Sequence, residues 1–262
     1  MNEPQSAVSD PLTTANILTE AFLFDPFFSW LFPGKNHKQN LHEWWHFLTR
    51  HSTKNPNWIL SVDAHGSTSS IWTKPILDLE EPENNGDAEQ DAFVNLMHEL
   101  VDDRISQVLE AFAEVNANHP SRPHWYLQAV GTVPEMQGKG RAAKLLRPIL
   151  EICDKEGIGA YLESTNPRNL SFYYRLGFEI QKELELDDGK AALTCMWRDP
   201  LKCRHLQLLC PICQDNPYND RTQPYCFPAR LRFLAAQKHL PPQSTHVISD
   251  GSFIPTLLEK IT

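Results

Sequence analysis

Apolar positions recur along the first two hundred residues with two different periods, and each period predicts an element. In "LTTANILTEAFLFDPFFSWLFP", residues 12–33, Leu12, Ile17, Ala21 and Phe22 fall near one face of a helix. Asp25-Pro26 should break that helix, because a proline disfavours helical backbone at the residue before it. An aromatic cluster follows at Phe27, Phe28, Trp30 and Phe32. A second helix is predicted over 38–51, with Leu41, Trp45 and Leu48 on one stripe. Two short strands, 58–62 and 70–76, flank a turn at Gly66. The acidic, turn-rich run "LDLEEPENNGDAEQDA" reads as a solvated linker, with a helix over 91–116 after it.

The centre of the chain has the clearest pattern. His124 to Val133 reads as a strand, and 137–155 as a helix with Leu145, Ile149 and Ile152 on its buried face. Pro148 should bend that helix, since it removes a backbone hydrogen bond. Residues 159–164 form a further strand, "PRNLSFYYRLGF" a short helix ending at Gly177, and "FEIQKELEL" with "KAALTCMWRD" a closing hairpin. Strand, helix, strand, helix, hairpin implies an α/β or α+β sandwich with at least one crossover connection.

Composition narrows the classes. At 262 residues the chain can bury a core without disulfides or a metal. Its net charge of −9 argues against bulk attraction to nucleic acid or an anionic membrane, and suits a cationic substrate without implying one. No apolar run approaches the roughly 20 residues of a membrane span, and "MNEPQSAVSD" does not read as a secretory signal. Six cysteines in a chain this long point to reduced thiols inside the cell: the cytoplasm, with the nucleus also open.

One stretch carries chemistry. "GTVPEMQGKGRAAKLL", residues 131–146, puts glycines and basic residues where a strand hands over to a helix. The spacing lacks a Walker A lysine followed by Ser or Thr, and its third small residue is Ala142 where a dinucleotide fingerprint wants glycine. What remains is a helix start whose free N–H groups and dipole favour an anion, with Lys139, Arg141 and Lys144 available at the rim, or else a plain helix start with solvated basic residues.

Gln137-Gly138-Lys139-Gly140-Arg141-Ala142 resembles the Q/R-x-x-G-x-G/A signature of the GCN5-related N-acetyltransferase (GNAT) superfamily. "LQAVGTVPEMQGKG" resembles its fourth strand and pyrophosphate loop, and "YLESTNPRNLSFYYRLGF" its fifth strand and next helix. "ALTCMWRDP" and the "DPFFSWLFP" region resemble the puromycin-acetyltransferase-like branch and its fungal relatives, the whole likeness running over roughly residues 8–200. The resemblance implies a mixed, mostly antiparallel twisted sheet with helices on both faces and a splayed central strand pair. It implies acetyl-coenzyme A (acetyl-CoA) as cosubstrate and direct acetyl transfer to an amine. The 137–142 loop would hold the pyrophosphate, Thr132 and Val133 the pantetheine amides through their backbone, and Asn169 the pantetheine arm.

The same resemblance makes Tyr173 the acid that meets the coenzyme sulfur. Tyr174, about 100° round the helix, should pack. Many relatives carry a glutamate on the fourth strand, where this chain has Tyr126, Leu127, Gln128 and Ala129. Glu163 replaces it as candidate base, with His124 second; a hydrogen-bonding role for Glu163 and a surface position for His124 are the plain alternatives. Phe22, Phe27, Phe28, Trp30 and Trp45 offer walls for an acceptor pocket or simply core, and Asp25 either attracts an amine or shapes the turn. A primary amine of a small molecule is the expected acceptor. A protein or peptide amine, O-acetylation, or an acyl-CoA-binding module without chemistry are the other readings. The oligomeric state is left open by the sequence.

Residues 1–200 make one domain in this reading and 201–262 a cysteine-bearing extension docked on it. Its Cys203, His205, Cys210, Cys213 and Cys226 are open to three readings: unlinked thiols, structural zinc through the Cys210–Cys213 pair, or a redox pair.

Overall fold

The computed structural model describes residues 10–77 and 86–201. The predicted extension and its cysteines lie outside the described residues.

The first predicted helix divides where Asp25-Pro26 said it should. Helix α1 spans Pro11–Phe22 and α2 spans Pro26–Leu31. Asp25 is the N-cap of α2: its Oδ1 accepts from the backbone N–H of Phe27 at 3.0 Å and of Phe28 at 3.4 Å. Helix α3 covers His37–Ser52. Its first residue, His37, clasps the α1–α2 connection: Nδ1 lies 2.8 Å from the Phe32 carbonyl and Nε2 2.8 Å from the Leu23 carbonyl.

Strands β1 (Trp58–Val62) and β2 (Thr68–Thr73) form the Gly66 hairpin. Helix α4 (Gly86–Val101) starts inside the stretch read as a linker, and buries Phe93, Met97 and Val101 at helical spacing. The single helix predicted to 116 breaks at Asp102, whose φ of 48° is left-handed. Helix α5 then runs Ile105–Ala117.

Strand β3 (Trp125–Thr132) leads to α6 (Arg141–Glu156), β4 (Ala160–Ser164), α7 (Leu170–Arg175), β5 (Glu179–Leu186) and β6 (Ala191–Arg198). Pro148 leaves α6 continuous because it stands on the exposed face, where water can take the bond it forfeits. The buried stripe is Leu146, Ile149, Leu150 and Cys153, so the helix is rotated by about one residue from the predicted face.

The six strands lie in the order β1-β2-β3-β4-β6-β5. All pairings are antiparallel except β3 with β4. This is the expected mixed, mostly antiparallel sheet with helices on both faces. One face carries α1 to α5 and an aromatic-rich core that includes Leu18, Phe28, Trp44, Phe112, Tyr126 and Tyr161. The other carries α6 and α7 over Trp72, Trp125, Leu127, Leu162 and Met196.

Candidate active site

The central strand pair splays. β3 and β4 register only at Trp125–Ala160 and Tyr126–Tyr161, and past those residues each is paired only on its outer side, β3 with β2 and β4 with β6. A bulge in the β2–β3 ladder places Ile71 opposite Ala129 and Trp72 opposite Leu127. Gln128 is the extra residue. It therefore shares a face with Tyr126 and Ala129, and regular alternation fails at this point. Its Nε2 donates to Thr73 Oγ1 at 2.7 Å. Gly131 is required by packing: a Cβ there would come within 2.7 Å of Ala21 Cβ on α1.

Beyond Thr132 the chain turns into the glycine loop. Val133 N–H donates to the Ser67 carbonyl and the Val133 carbonyl accepts from Met136 N–H, so Val133 itself shapes the turn. Gln137 Nε2 donates to the Thr132 carbonyl at 3.0 Å and braces the loop from its exposed side. Gly138 and Gly140 have φ of 71° and 72°, a conformation that side-chain-bearing residues rarely adopt, and a Cβ at either would meet nothing within 4 Å. Gly140 caps α6 without any side-chain acceptor. The first N–H groups of α6 are thus aimed into open space with the positive end of the helix dipole.

The three basic side chains differ in kind. Lys139 and Lys144 are exposed, Lys139 resting on the Glu135 carbonyl at 3.0 Å. Arg141 is mostly buried and its Nη1 donates to Asp63 Oδ2 at 2.9 Å. Burial alone would raise the Asp63 carboxyl; the N–H groups of Ser67 and Thr68 and the guanidinium outweigh it, and hold the group below the usual range. Arg141 Nε is buried with no protein partner, an orphaned donor beside the glycine loop. Open glycine cradle, free helix N-terminus and orphaned donor together fit a pyrophosphate.

Asn169 and Tyr173 stand one helical turn apart around the start of α7. Asn169 is exposed and Tyr173 buried against Phe172 and Phe178. Burial, aided by the negative charge of Asp25, pushes the Tyr173 phenol well above its ordinary value, so it stays a proton donor. Tyr174 is half-exposed, contrary to the packing role expected of it. Asp25 is itself buried, and burial raises its carboxyl despite bonds from Thr165, Phe28 and Phe27. Its Oδ2 accepts from Thr165 Oγ1 at 2.7 Å, which ties α2 to the loop after β4.

On the sheet face below α2 and α3 lies an apolar pocket. Phe27, Phe28, Trp44, Trp45 and Phe112 wall it, and Tyr126, Gln128, Glu163 and Thr165 are its polar members. Phe22 and Trp30 do not line it. Phe22 packs edge-on against Phe28, and Trp30 Nε1 donates to Asp187 at 2.8 Å under the Arg104 guanidinium.

Glu163 and His124 converge through a residue the sequence reading missed. Glu163 Oε1 is 3.3 Å from His119 Nδ1, and His119 Nε2 is 3.0 Å from His124 Nε2. His124 Nδ1 lies 2.7 Å from the Arg122 carbonyl. His124 is buried, so the surface position allowed for it is excluded. His119 follows the end of α5 beside Pro120, and neither periodicity nor motif spacing marks it.

The family described as acetyltransferase (GNAT) family matches residues 65–178. An uncharacterised N-acetyltransferase of Schizosaccharomyces pombe is 44% identical over 78 residues, 29% of this chain; the match spans about a third of that relative, 32% of its length. A solved structure described as histone acetyltransferase HPA2 and related acetyltransferase, from Corynebacterium glutamicum, superposes with a TM-score of 0.50 at 21% identity, covering 77% of this chain and 95% of that one. An arylalkylamine N-acetyltransferase from Aedes aegypti gives 0.47 at 16% identity, covering 71% and 93%. The splayed strands, the glycine loop and α6 of this chain all fall inside the matched GNAT segment. Among the described residues no group of three His, Cys, Asp or Glu is placed to hold a metal ion, and no helix is long and apolar enough to cross a membrane.

Proposed function

We propose that the protein is an acetyl-CoA-dependent N-acetyltransferase whose acceptor is the primary amine of a small molecule with an apolar body. The observation that carries this reading is the aromatic pocket with one carboxylate in its wall, Glu163, beside the splayed strand pair. Such a pocket suits an aryl or alkyl group behind a cationic head, where ring faces and a carboxylate both attract the ammonium. Its aromatic walls argue against a peptide backbone as acceptor. The "DPFFSWLFP" aromatics supply two of those walls, in keeping with the puromycin-acetyltransferase-like branch and its fungal relatives.

When bound, acetyl-CoA supplies an activated acetyl thioester. The backbone of Gly138 to Ala142 would receive its pyrophosphate, with Lys139 and Arg141 adding charge and Gln137 holding the loop in shape. Thr132, Val133 and Asn169 would border the pantetheine arm. Tyr173, kept protonated by burial, donates its O–H where the thiolate leaves. Glu163 takes the proton that the attacking amine must lose, with His124 behind it.

The test is thiol release from acetyl-CoA against separate pools of arylalkylamines, polyamines, aminoglycosides, amino acids and basic peptides. Turnover is expected with the arylalkylamines. Turnover with peptides alone would overturn the acceptor assignment. Tight coenzyme binding with no transfer to any pool would replace the enzyme with a binding module.

A further inference from the structure

One hydrogen bond joins the aromatic pocket to the helix start above it. Thr165 Oγ1 donates to Asp25 Oδ2 at 2.7 Å, across 140 residues of chain. A hydroxyl has one proton and two lone pairs. With the proton spent on Asp25, only lone pairs are left for a molecule entering the pocket that Thr165 lines. The carboxyl is fixed in turn. Its Oδ1 accepts from the N–H groups of Phe27 and Phe28, and the residue is 5% exposed, so it does not swing away and release Thr165. Thr165 directly follows β4, and Glu163, two positions earlier, lines the same pocket. Two positions of extended backbone span about 6–7 Å. Two hydrogen bonds of about 2.9 Å meeting at one nitrogen bridge about 5 Å, so a slight lean of the side chains lets a single nitrogen touch both. This is past the point where β3 and β4 part, beside the cleft between them.

We propose that Thr165, its hydroxyl turned by Asp25, restricts this chain to primary amines by accepting the one N–H that the nitrogen keeps through the reaction. This rests on the acetyltransferase reading above. The proton count makes the restriction. A primary ammonium carries three protons. One passes to Glu163 and on to water, which frees the nitrogen lone pair. That pair forms the C–N bond to the acetyl carbon while the C–S bond breaks and its electrons leave on sulfur. A second proton, lost as the amide forms, replaces the one that Tyr173 gives to the sulfur. The third stays on the amide nitrogen, and it is the one that faces Thr165.

A secondary ammonium carries two protons and loses both. Its product is a tertiary amide with no N–H, and its second carbon substituent would stand against the Thr165 oxygen and leave that lone pair buried without a donor. A site that bonds an N–H rejects an analogue lacking it far more strongly than an apolar wall rejects an added methyl group. Asp25 is essential to this selectivity because it decides which way the hydroxyl points.

Steady-state acetylation of 2-phenylethylamine and N-methyl-2-phenylethylamine by the full chain tests the proposal. Wild type should prefer the primary amine. In Thr165→Val the ratio of the two kcat/KM values should fall about 10- to 100-fold, the weight of one hydrogen bond to a charged nitrogen. Thr165→Ser keeps the hydroxyl and should keep the ratio. Asp25→Asn is the sharper variant. Its Oδ1 still caps α2, while its Nδ2–H donates to Thr165 and turns the hydroxyl proton toward the pocket. The ratio should fall although the hydroxyl remains. Removing the Asp25 charge also acts on the Tyr173 phenol, but equally for both amines, so it cancels in the ratio. A bond that merely tethers α2 would slow both amines alike. An unchanged ratio in Thr165→Val or Asp25→Asn therefore overturns the proposal, as does a wild type indifferent to the N-methyl group. Calorimetric binding of the two amide products needs no turnover. Wild type should bind N-(2-phenylethyl)acetamide more tightly than its N-methyl form, and Thr165→Val should bind them alike; equal affinities in wild type overturn the proposal. A wild type that acetylates neither amine overturns the acetyltransferase reading instead, and the amide affinities still decide whether Thr165 reads the N–H.

Discussion

Replacing Gly140 by alanine should separate the cost of backbone strain from the cost of losing an anion cradle. Gly140 has φ of 72° and open space where a Cβ would go, so the substitution meets no clash. It must instead hold a left-handed conformation that costs an L-residue about 1–2 kcal/mol. At about 2–4 °C per kcal/mol for a domain of this size, Tm should fall by about 2–8 °C. Gly189 supplies the control: it has φ of 80°, equally open surroundings, and lies in the β5–β6 turn away from the loop. Gly189→Ala should lose a similar amount of stability. The two variants should part in coenzyme A binding, measured by calorimetry. If Gly140→Ala relieves its strain by rotating the peptide, at least one N–H leaves the pyrophosphate. A hydrogen bond to a charged group contributes about 1.5–3 kcal/mol, so Kd should rise about 10- to 100-fold. Gly189→Ala should bind as wild type. Equal Tm losses with unchanged Kd in both would refute the assignment of residues 137–142 as the anion cradle.

Other consequences are as direct. Tyr173→Phe should lower kcat by at least about 10-fold with coenzyme affinity nearly intact, measured by steady-state kinetics beside calorimetry; an unchanged kcat would remove it as the acid. Gly159→Ala should destabilise by more than the usual 1–3 kcal/mol of overpacking, read as urea midpoint, because a Cβ there overlaps the Trp197 indole. The Asp63 carboxyl is depressed in the fold, so its stabilisation is present above the ordinary carboxylate value near 4 and is lost as pH falls through the folded value. Asp63→Asn should therefore lower Tm at pH 7, and the difference from wild type should shrink as pH falls below the ordinary carboxylate value.

The fold was largely legible in the chain because local and global signals agree over 124–200. Alternation gave β3, β4 and the closing hairpin, and the glycine loop marked the start of α6. Tertiary packing decided the rest. The α6 face moved by one residue because Leu146 and Cys153, not Leu145 and Ile152, point at the sheet. The acidic run after β2 became part of α4 because Phe93, Met97 and Val101 bury against α3 and α5, a contact no local composition announces. At the site, Gly138, Gly140, Tyr173 and Glu163 could be named from motif and strand position. His119 could not, since it meets Glu163 across 44 residues of chain. Nor could the bulge that turns Gln128 into the pocket, because a bulge leaves no mark on composition.

The clasp formed by His37 carries a consequence for how the pocket wall is assembled. Its two ring nitrogens lie 2.8 Å from the Phe32 and Leu23 carbonyls, so one side chain grips both ends of the segment that delivers Phe27 and Phe28 to the pocket. The pocket wall is therefore set as one piece from outside the pocket, by a residue that lines none of it.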